Sequence, residues 1–264
     1  MNLDDFQRSA DCLKPHLEGE PNQFAESIAL RQDMVTFLRF IKQNKIAGTK
    51  STGNMPLKMV RQLSRELANP PALENKVGDK IYKVRSELDI WAIYFPHILA
   101  EGGGLVQISP DRQWRLTPIG EKFIETPALI QLWTIVMIWW HRVNWLVSFP
   151  IMGIGDKLPD GFELFTLESL ILNANNNPIP FHEFADLLIE KTGLIWTSKD
   201  KTFHQILLRG AIENIVININ KQFGILETEY GDDFIGKHKT KRLKFFNITT
   251  VGKILIESIG VSFF

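Results

Sequence analysis

The sequence predicts a mainly α-helical protein with small β-hairpins, organised as two similar domains joined by a tryptophan-rich helix. Three observations predict it. A phrase recurs, RLTPIGEKFI at 115–124 and NITTVGKILI at 247–256. Ahead of each copy, apolar residues fall at helical spacing. Between the copies, SFPIMGIGDKLPDGF (148–162) carries two prolines and three glycines, the composition of a linker. The 264 residues, 44 % hydrophobic and 23 % charged, suffice for two domains of ordinary size with buried cores.

The first copy begins with a helix candidate, MVTFLRFIKQNK (34–45). A second follows in PLKMVRQLSREL, where Leu57, Val60, Leu63 and Leu67 keep helical spacing and Lys58, Arg61 and Arg65 fall between them. The third is SELDIWAIYFPHILAEG (86–102), closed by Gly102-Gly103-Gly104, because glycine tolerates the positive φ that ends many helices. Leu105-Val106-Gln107 is a short strand, SPDRQW a polar loop, and a second strand runs into Thr117-Pro118-Ile119-Gly120. Threonine caps a helix by accepting from a free amide of its first turn. Pro118 then stands where a missing N–H costs nothing.

The second copy keeps this order. ELFTLESLILNA (163–174) is its first helix and PFHEFADLLIEK, with Phe181, Phe184, Leu187 and Leu188 at helical spacing, its second. KDKTFHQILLRGAIENIVININ (199–220) is the third, and its Ile- and Asn-rich end is expected to be partly strand. Gly224-Ile225-Leu226-Glu227 and Ile248-Thr249-Thr250-Val251-Gly252 repeat the closing phrase around a longer insert, 28 residues from glycine to glycine against 16.

Helix, helix, helix, strand, loop, strand, helix resembles the winged-helix fold. The Leu-Thr-Pro-x-Gly phrase resembles the point where many winged-helix proteins leave the second wing strand. Residues 34–147 also resemble helical domains of uncharacterised bacterial proteins, through a TKSTGNMPLK-like segment and a Trp-containing helix after the wing; that likeness carries no active site. The expected organisation is an N-terminal arm (1–30), a winged-helix-like domain (31–126), a Trp-rich connecting helix (127–147), the linker (148–162) and a second winged-helix-like domain (163–264).

In the connecting helix, Ile130, Trp133, Met137 and Trp140 share one face, and the stretch is apolar nearly all round. It reads as an internal packing helix or as a homodimer contact through Trp133, Met137 and Trp140. Gln131, His141, Arg142 and Asn144 leave about a dozen clean apolar residues, too few to span a bilayer, so no membrane partner is expected.

The resemblance implies DNA binding, and charge placement bears on it. Lys+Arg 30 against Asp+Glu 30 leaves no net charge. Residues 31–85 nonetheless hold twelve basic and four acidic side chains, an excess of eight, as a phosphate-facing surface would. The candidates for phosphate contact are Lys58, Arg61 and Arg65 on the second helix, Lys80, Lys83 and Arg85 leading into the third, and Lys239, Lys241 and Arg242 in the second wing. Asp232 and Asp233 weaken the field at that wing. The third helix of the first copy is too apolar to read base edges, which need Arg, Asn or Gln forks; the second offers Lys199, Lys201, His204, Gln205 and Arg209. The expected partner is double-stranded DNA. The rival is a protein-interaction module working through the apolar third helix and Trp133, Trp139, Trp140 and Trp145.

Enzyme chemistry has no foothold in the sequence. The glycine run lacks the lysine and spacing of a phosphate loop. The six histidines are dispersed with no HExxH register, so no metal is expected. The single cysteine, Cys12, can form neither an intramolecular disulfide nor a zinc cluster. No serine sits in a nucleophile elbow. The expectation is a cytoplasmic, non-enzymatic regulator with no cofactor. Its N-terminus, rich in Asp4, Asp5 and Asp11, is not a secretory signal.

Overall fold

The computed structural model describes residues 13–148, 153–154, 157–176, 178–197, 203–235 and 238–263. The protein is mainly helical with small antiparallel sheets of two and three strands. It divides into two compact units, Met1–Val143 and Asn144–Phe264.

The first unit runs α1 (Glu20–Ser27), α2 (Ala29–Gln43), α3 (Leu57–Leu63), a hairpin of β1 (Glu74–Val77) and β2 (Lys80–Lys83), a 3-10 turn (Glu87–Asp89), α4 (Trp91–Gly102), β3 (Val106–Ile108), β4 (Trp114–Leu116), α5 (Pro118–Glu125) and α6 (Ala128–His141). On α2, Leu30, Met34, Phe37, Leu38 and Ile41 recur at helical spacing, are all buried, and form the face that receives α4. β3 pairs with β4. The other edge of β4 is met by a short extended piece: Trp114 N donates to Ile46 O (3.0 Å), Ala47 bridges Gln113, and Gly48 N donates to Arg112 O (2.8 Å).

The second unit runs α7 (Trp145–Ser148), α8 (Phe162–Leu172), β5 (Ile179–Pro180), α9 (Phe181–Thr192), α10 (His204–Ile212), a wider π segment (Glu213–Asn218), α11 (Ile219–Gln222), β6 (Leu226–Ile235), β7 (His238–Ile248) and α12 (Thr250–Phe263). Its sheet has the order β5–β7–β6, antiparallel throughout. The expected strand at the end of the third helix is absent: α10, the π segment and α11 follow one another as continuous helix. The β-branched run suggested a strand, but Ile215, Val216, Ile217 and Ile219 are buried as helical residues. The asparagines bond within the helix, Asn218 Nδ2 to Asn214 Oδ1 (3.2 Å) and Asn220 Nδ2 to Val216 O (2.8 Å), which removes the reason for Asn to break it.

The recurring phrase is a joint, built twice with the same bonds. Gly104 and Gly224 both sit at positive φ, +64° and +71°, just past a helix end. The next amide turns back to the helix, Leu105 N to Ala100 O (2.8 Å) and Ile225 N to Asn220 O (2.9 Å). Thr117 and Thr249 then work in both directions. Each hydroxyl donates to the glycine carbonyl at 2.7 Å, and each accepts from the first turn of the following helix, from Gly120 N (3.1 Å) and Gly252 N (2.8 Å). A Cβ on Gly120 would lie 2.1 Å from Leu105 O, and one on Gly252 2.2 Å from Ile225 O. Only glycine lets the last helix press onto that carbonyl.

The division at Val143/Asn144 puts the Trp-rich helix, α6, with the first unit, where it packs against α1, α2 and α4. Part of the expected N-terminal arm is therefore core: Asn22 Oδ1 on α1 accepts from Leu129 N in the first turn of α6 (3.0 Å). Trp133, Met137 and Trp140 are only 1 %, 9 % and 4 % exposed. The homodimer contact expected on them has no exposed aromatic surface to use, because an all-round apolar helix is buried from every side within the chain. Trp145, expected in the same helix, lies in the second unit, edge-on to Phe162 with ring centroids 6.2 Å apart.

Candidate nucleic-acid interface

The sequence reading has residues 79–85 lead directly into the third helix; the structure folds them into the β1–β2 hairpin. Glu74 to Val77 pair with Lys83 to Lys80, and Gly78 (φ +60°) opens the two-residue turn with Asp79. The missed signal was that Gly-Asp pair between ENKV and KIYK, a known hairpin connection. Every residue of β2 is exposed, Ile81 at 60 % and Tyr82 at 53 %. Successive strand residues point to opposite faces, so β2 is exposed on both of its faces. Lys80, Ile81, Tyr82, Lys83, Val84 and Arg85, with Ala72 and Asp89, line an open groove of about 950 Å³.

Of the acidic groups around the arm, Glu74 and Asp89 are engaged, and Asp79 is exposed in the turn. Glu74 Oε1 faces Lys83 Nζ at 3.5 Å. Asp89 Oδ2 accepts from Arg85 N (2.7 Å) and Ser86 N (3.0 Å), closing a capping box with Ser86. Lys80 and Arg85 have no ion-pair partner among the described residues.

Glu87 anchors the arm's root and is fully buried. Its Oε2 accepts from Met55 N (2.7 Å), and its Oε1 lies 2.6 Å from His97 Nδ1 on α4. His97 packs between Phe37 (6.4 Å) and Trp114 (4.4 Å), and its Nε2 is 3.5 Å from Glu101 Oε2. Burial alone would lower the imidazole pKa, but hydrogen bonds to Glu101 and Glu87, and their charges, outweigh it and raise it to about 9. Near pH 7 this is a buried imidazolium–carboxylate pair that pins the chain between the arm and α4. In the sequence His97 reads as an ordinary surface or core histidine, and nothing in the spacing of Glu87 and His97 announces their pairing.

The other predicted cations lie in two places. Lys58 and Arg61 are exposed on α3, while Arg65 is exposed in the turn after it, since α3 ends at Leu63, short of the expected helix. Lys239, Lys241 and Arg242 lie on β7 and are answered across the strand pair. Asp232 takes Lys239 Nζ (2.8 Å) and Lys241 Nζ (2.7 Å), and Asp233 faces Arg242 Nε at 3.4 Å. The two lysines hold the Asp232 carboxyl below its ordinary range. The β6–β7 hairpin is therefore close to neutral along these residues, and the β1–β2 arm is not.

Among the described residues, neither third helix presents a free base-reading fork. α4 contains no Arg, Lys, Asn or Gln and buries Ile93, Phe95, His97 and Leu99. On α10, Arg209 makes a double bond pair with Asp186, Nε to Oδ1 (2.8 Å) and Nη2 to Oδ2 (2.6 Å), and Gln205 Nε2 donates to the same carboxylate (3.2 Å). Lys199 and Lys201, like Lys237 and Cys12, lie outside the described residues.

Comparison with protein-family models, with curated proteins and with solved structures found no match. Among the described residues, no group of His, Cys, Asp and Glu could hold a metal ion, and no helix is long and apolar enough to cross a membrane.

Proposed function

We propose that this is a tandem winged-helix protein of the cytoplasm that binds nucleic acid without enzymatic activity, with double-stranded DNA as its ligand and regulation as its role. The winged-helix reading is supported by topology. Both units follow helix, short strand, helix, helix, strand, strand, helix, and in both the last strand lies between the other two. The repeated joint ties the third helix to the helix after the last strand in each.

The observation that carries the binding reading is the β1–β2 arm. It is a two-stranded ribbon whose second strand is exposed on both faces, and Lys80 and Arg85 have no acidic partner among the described residues. A two-stranded ribbon fits the width of a major groove as a helix does, and it supplies what the buried α4 cannot. Lys80, Lys83 and Arg85 are the principal phosphate contacts in this reading. Lys58, Arg61 and Arg65 are secondary, and Lys239, Lys241 and Arg242 contribute least because they must first leave Asp232 and Asp233. Fluorescence anisotropy against random-sequence duplex tests this. Affinity should fall steeply with salt, and the Lys80→Ala, Lys83→Ala, Arg85→Ala triple variant should reduce the salt slope by about 2–3, each phosphate no longer neutralised accounting for about 0.9.

A protein-interaction module is the second reading, favoured by one observation. Phe203, Ile206 and Leu207 at the start of α10, with Leu187 on α9, are 40–55 % exposed apolar side chains. Association through them would respond little to salt.

A further inference from the structure

We infer that the β1–β2 arm also takes unpaired bases, so that single-stranded nucleic acid is a further ligand class beside the duplex; this rests on the nucleic-acid reading above. Cations alone would suit any phosphate backbone. What they do not explain is Tyr82, an aromatic ring 53 % exposed in a strand that begins at Lys80 and ends at Lys83. Strand alternation sets Tyr82 on the face of Lys80 and Ile81 on the face of Lys83. Each face thus combines a cation with a large apolar side chain, and both border the same open groove.

In duplex DNA the faces of the bases are covered by their neighbours, and an aromatic ring has nothing to stack on. In a single strand each base has an available π-face, and an aromatic platform beside a line of cations is how such strands are held without sequence reading. The arm also meets the requirement of preorganisation. Its root is fixed by Asp89 on the amides of Arg85 and Ser86 and by the buried Glu87–His97 contact, so presenting Tyr82 costs little ordering. Asp89 borders the groove, yet its Oδ2 already accepts from both of those amides.

The test compares a labelled mixed-sequence oligonucleotide, single-stranded and annealed to its complement, with the full chain at one low salt concentration. The single strand should bind more tightly. Tyr82→Ala should weaken single-strand binding roughly 5- to 150-fold, the effect of removing one base stack, and leave duplex binding within about twofold; Tyr82→Phe should retain both. Because Tyr82 is exposed, unchanged thermal unfolding of the variants separates a missing stack from a failure to fold. Equal single-strand binding by wild type and Tyr82→Ala, with duplex binding intact, overturns this inference alone. No binding to either form removes the nucleic-acid reading along with it.

Discussion

His97 and Glu87 show how much of this molecule rests on single contacts. Glu87 is fully buried, and removing its carboxylate would leave Met55 N–H and His97 Nδ1 without their partner. Glu87→Ala should destabilise the first unit by about 3–5 kcal/mol, the usual cost of breaking a buried pair from one side. The pH dependence follows in sign from the raised His97 pKa. The folded state holds its proton up to about pH 9, above the ordinary histidine value of 6.5. The stabilisation is therefore complete below about pH 6.5 and is lost as pH rises through 9. Thermal melts between pH 6 and 10 should show a falling midpoint in wild type and a flatter profile in His97→Gln. The joint residues make a second residue-scale prediction. Gly120→Ala and Gly252→Ala each force a Cβ against a backbone carbonyl and should cost about 1–3 kcal/mol, measured by denaturant unfolding. This pair was legible in the sequence because both copies spell it with the same letters. The Glu87–His97 pair was not, since its members belong to different elements and meet only when α4 closes on the core.

At the scale of elements, legibility followed the hydrophobic pattern. α2 and α9 were readable because a one-sided apolar stripe repeats with the helical period, and α6 because it is apolar all round. The β1–β2 arm was not readable that way: β2 buries neither of its faces, KIYK shows no alternation, and both strands are four residues long. The far end of the third helix in the second unit was misread because β-branched residues favour strands only where a pleated surface receives them, whereas here they fill a helical core. The Trp-rich helix supplies a discriminating test. Trp133 is 1 % exposed, so Trp133→Ala should cost about 3–5 kcal/mol of stability while leaving the solution mass unchanged. A change in mass with stability preserved would return α6 to the role of an interface. The arm supplies another. Gly78→Val places a β-branched side chain at φ +60°, and should weaken nucleic-acid binding without lowering the midpoint of global unfolding.

For the whole molecule, duplication and divergence are separate statements. The frame is repeated down to the hydroxyl of Thr117 and Thr249, but the additions to it differ. The first unit carries an arm between α3 and α4, of whose cations Lys80 and Arg85 lack acidic partners among the described residues. The second carries a hairpin of ten- and eleven-residue strands whose cations are answered by Asp232 and Asp233. A chain with no net charge can still bind phosphate if its basic residues are segregated in this way. On the proposed function, the first unit's arm, and not the second unit's hairpin, meets nucleic acid. The measurement that tests it most directly is fluorescence anisotropy across a salt series for wild type, the Lys80/Lys83/Arg85 alanine triple and the Lys239/Lys241/Arg242 alanine triple. Micromolar binding at low salt, largely abolished in the arm variant and largely kept in the hairpin variant, is the predicted result. Binding that survives in the arm variant with an unchanged salt slope, or no binding by wild type at low salt, would contradict it.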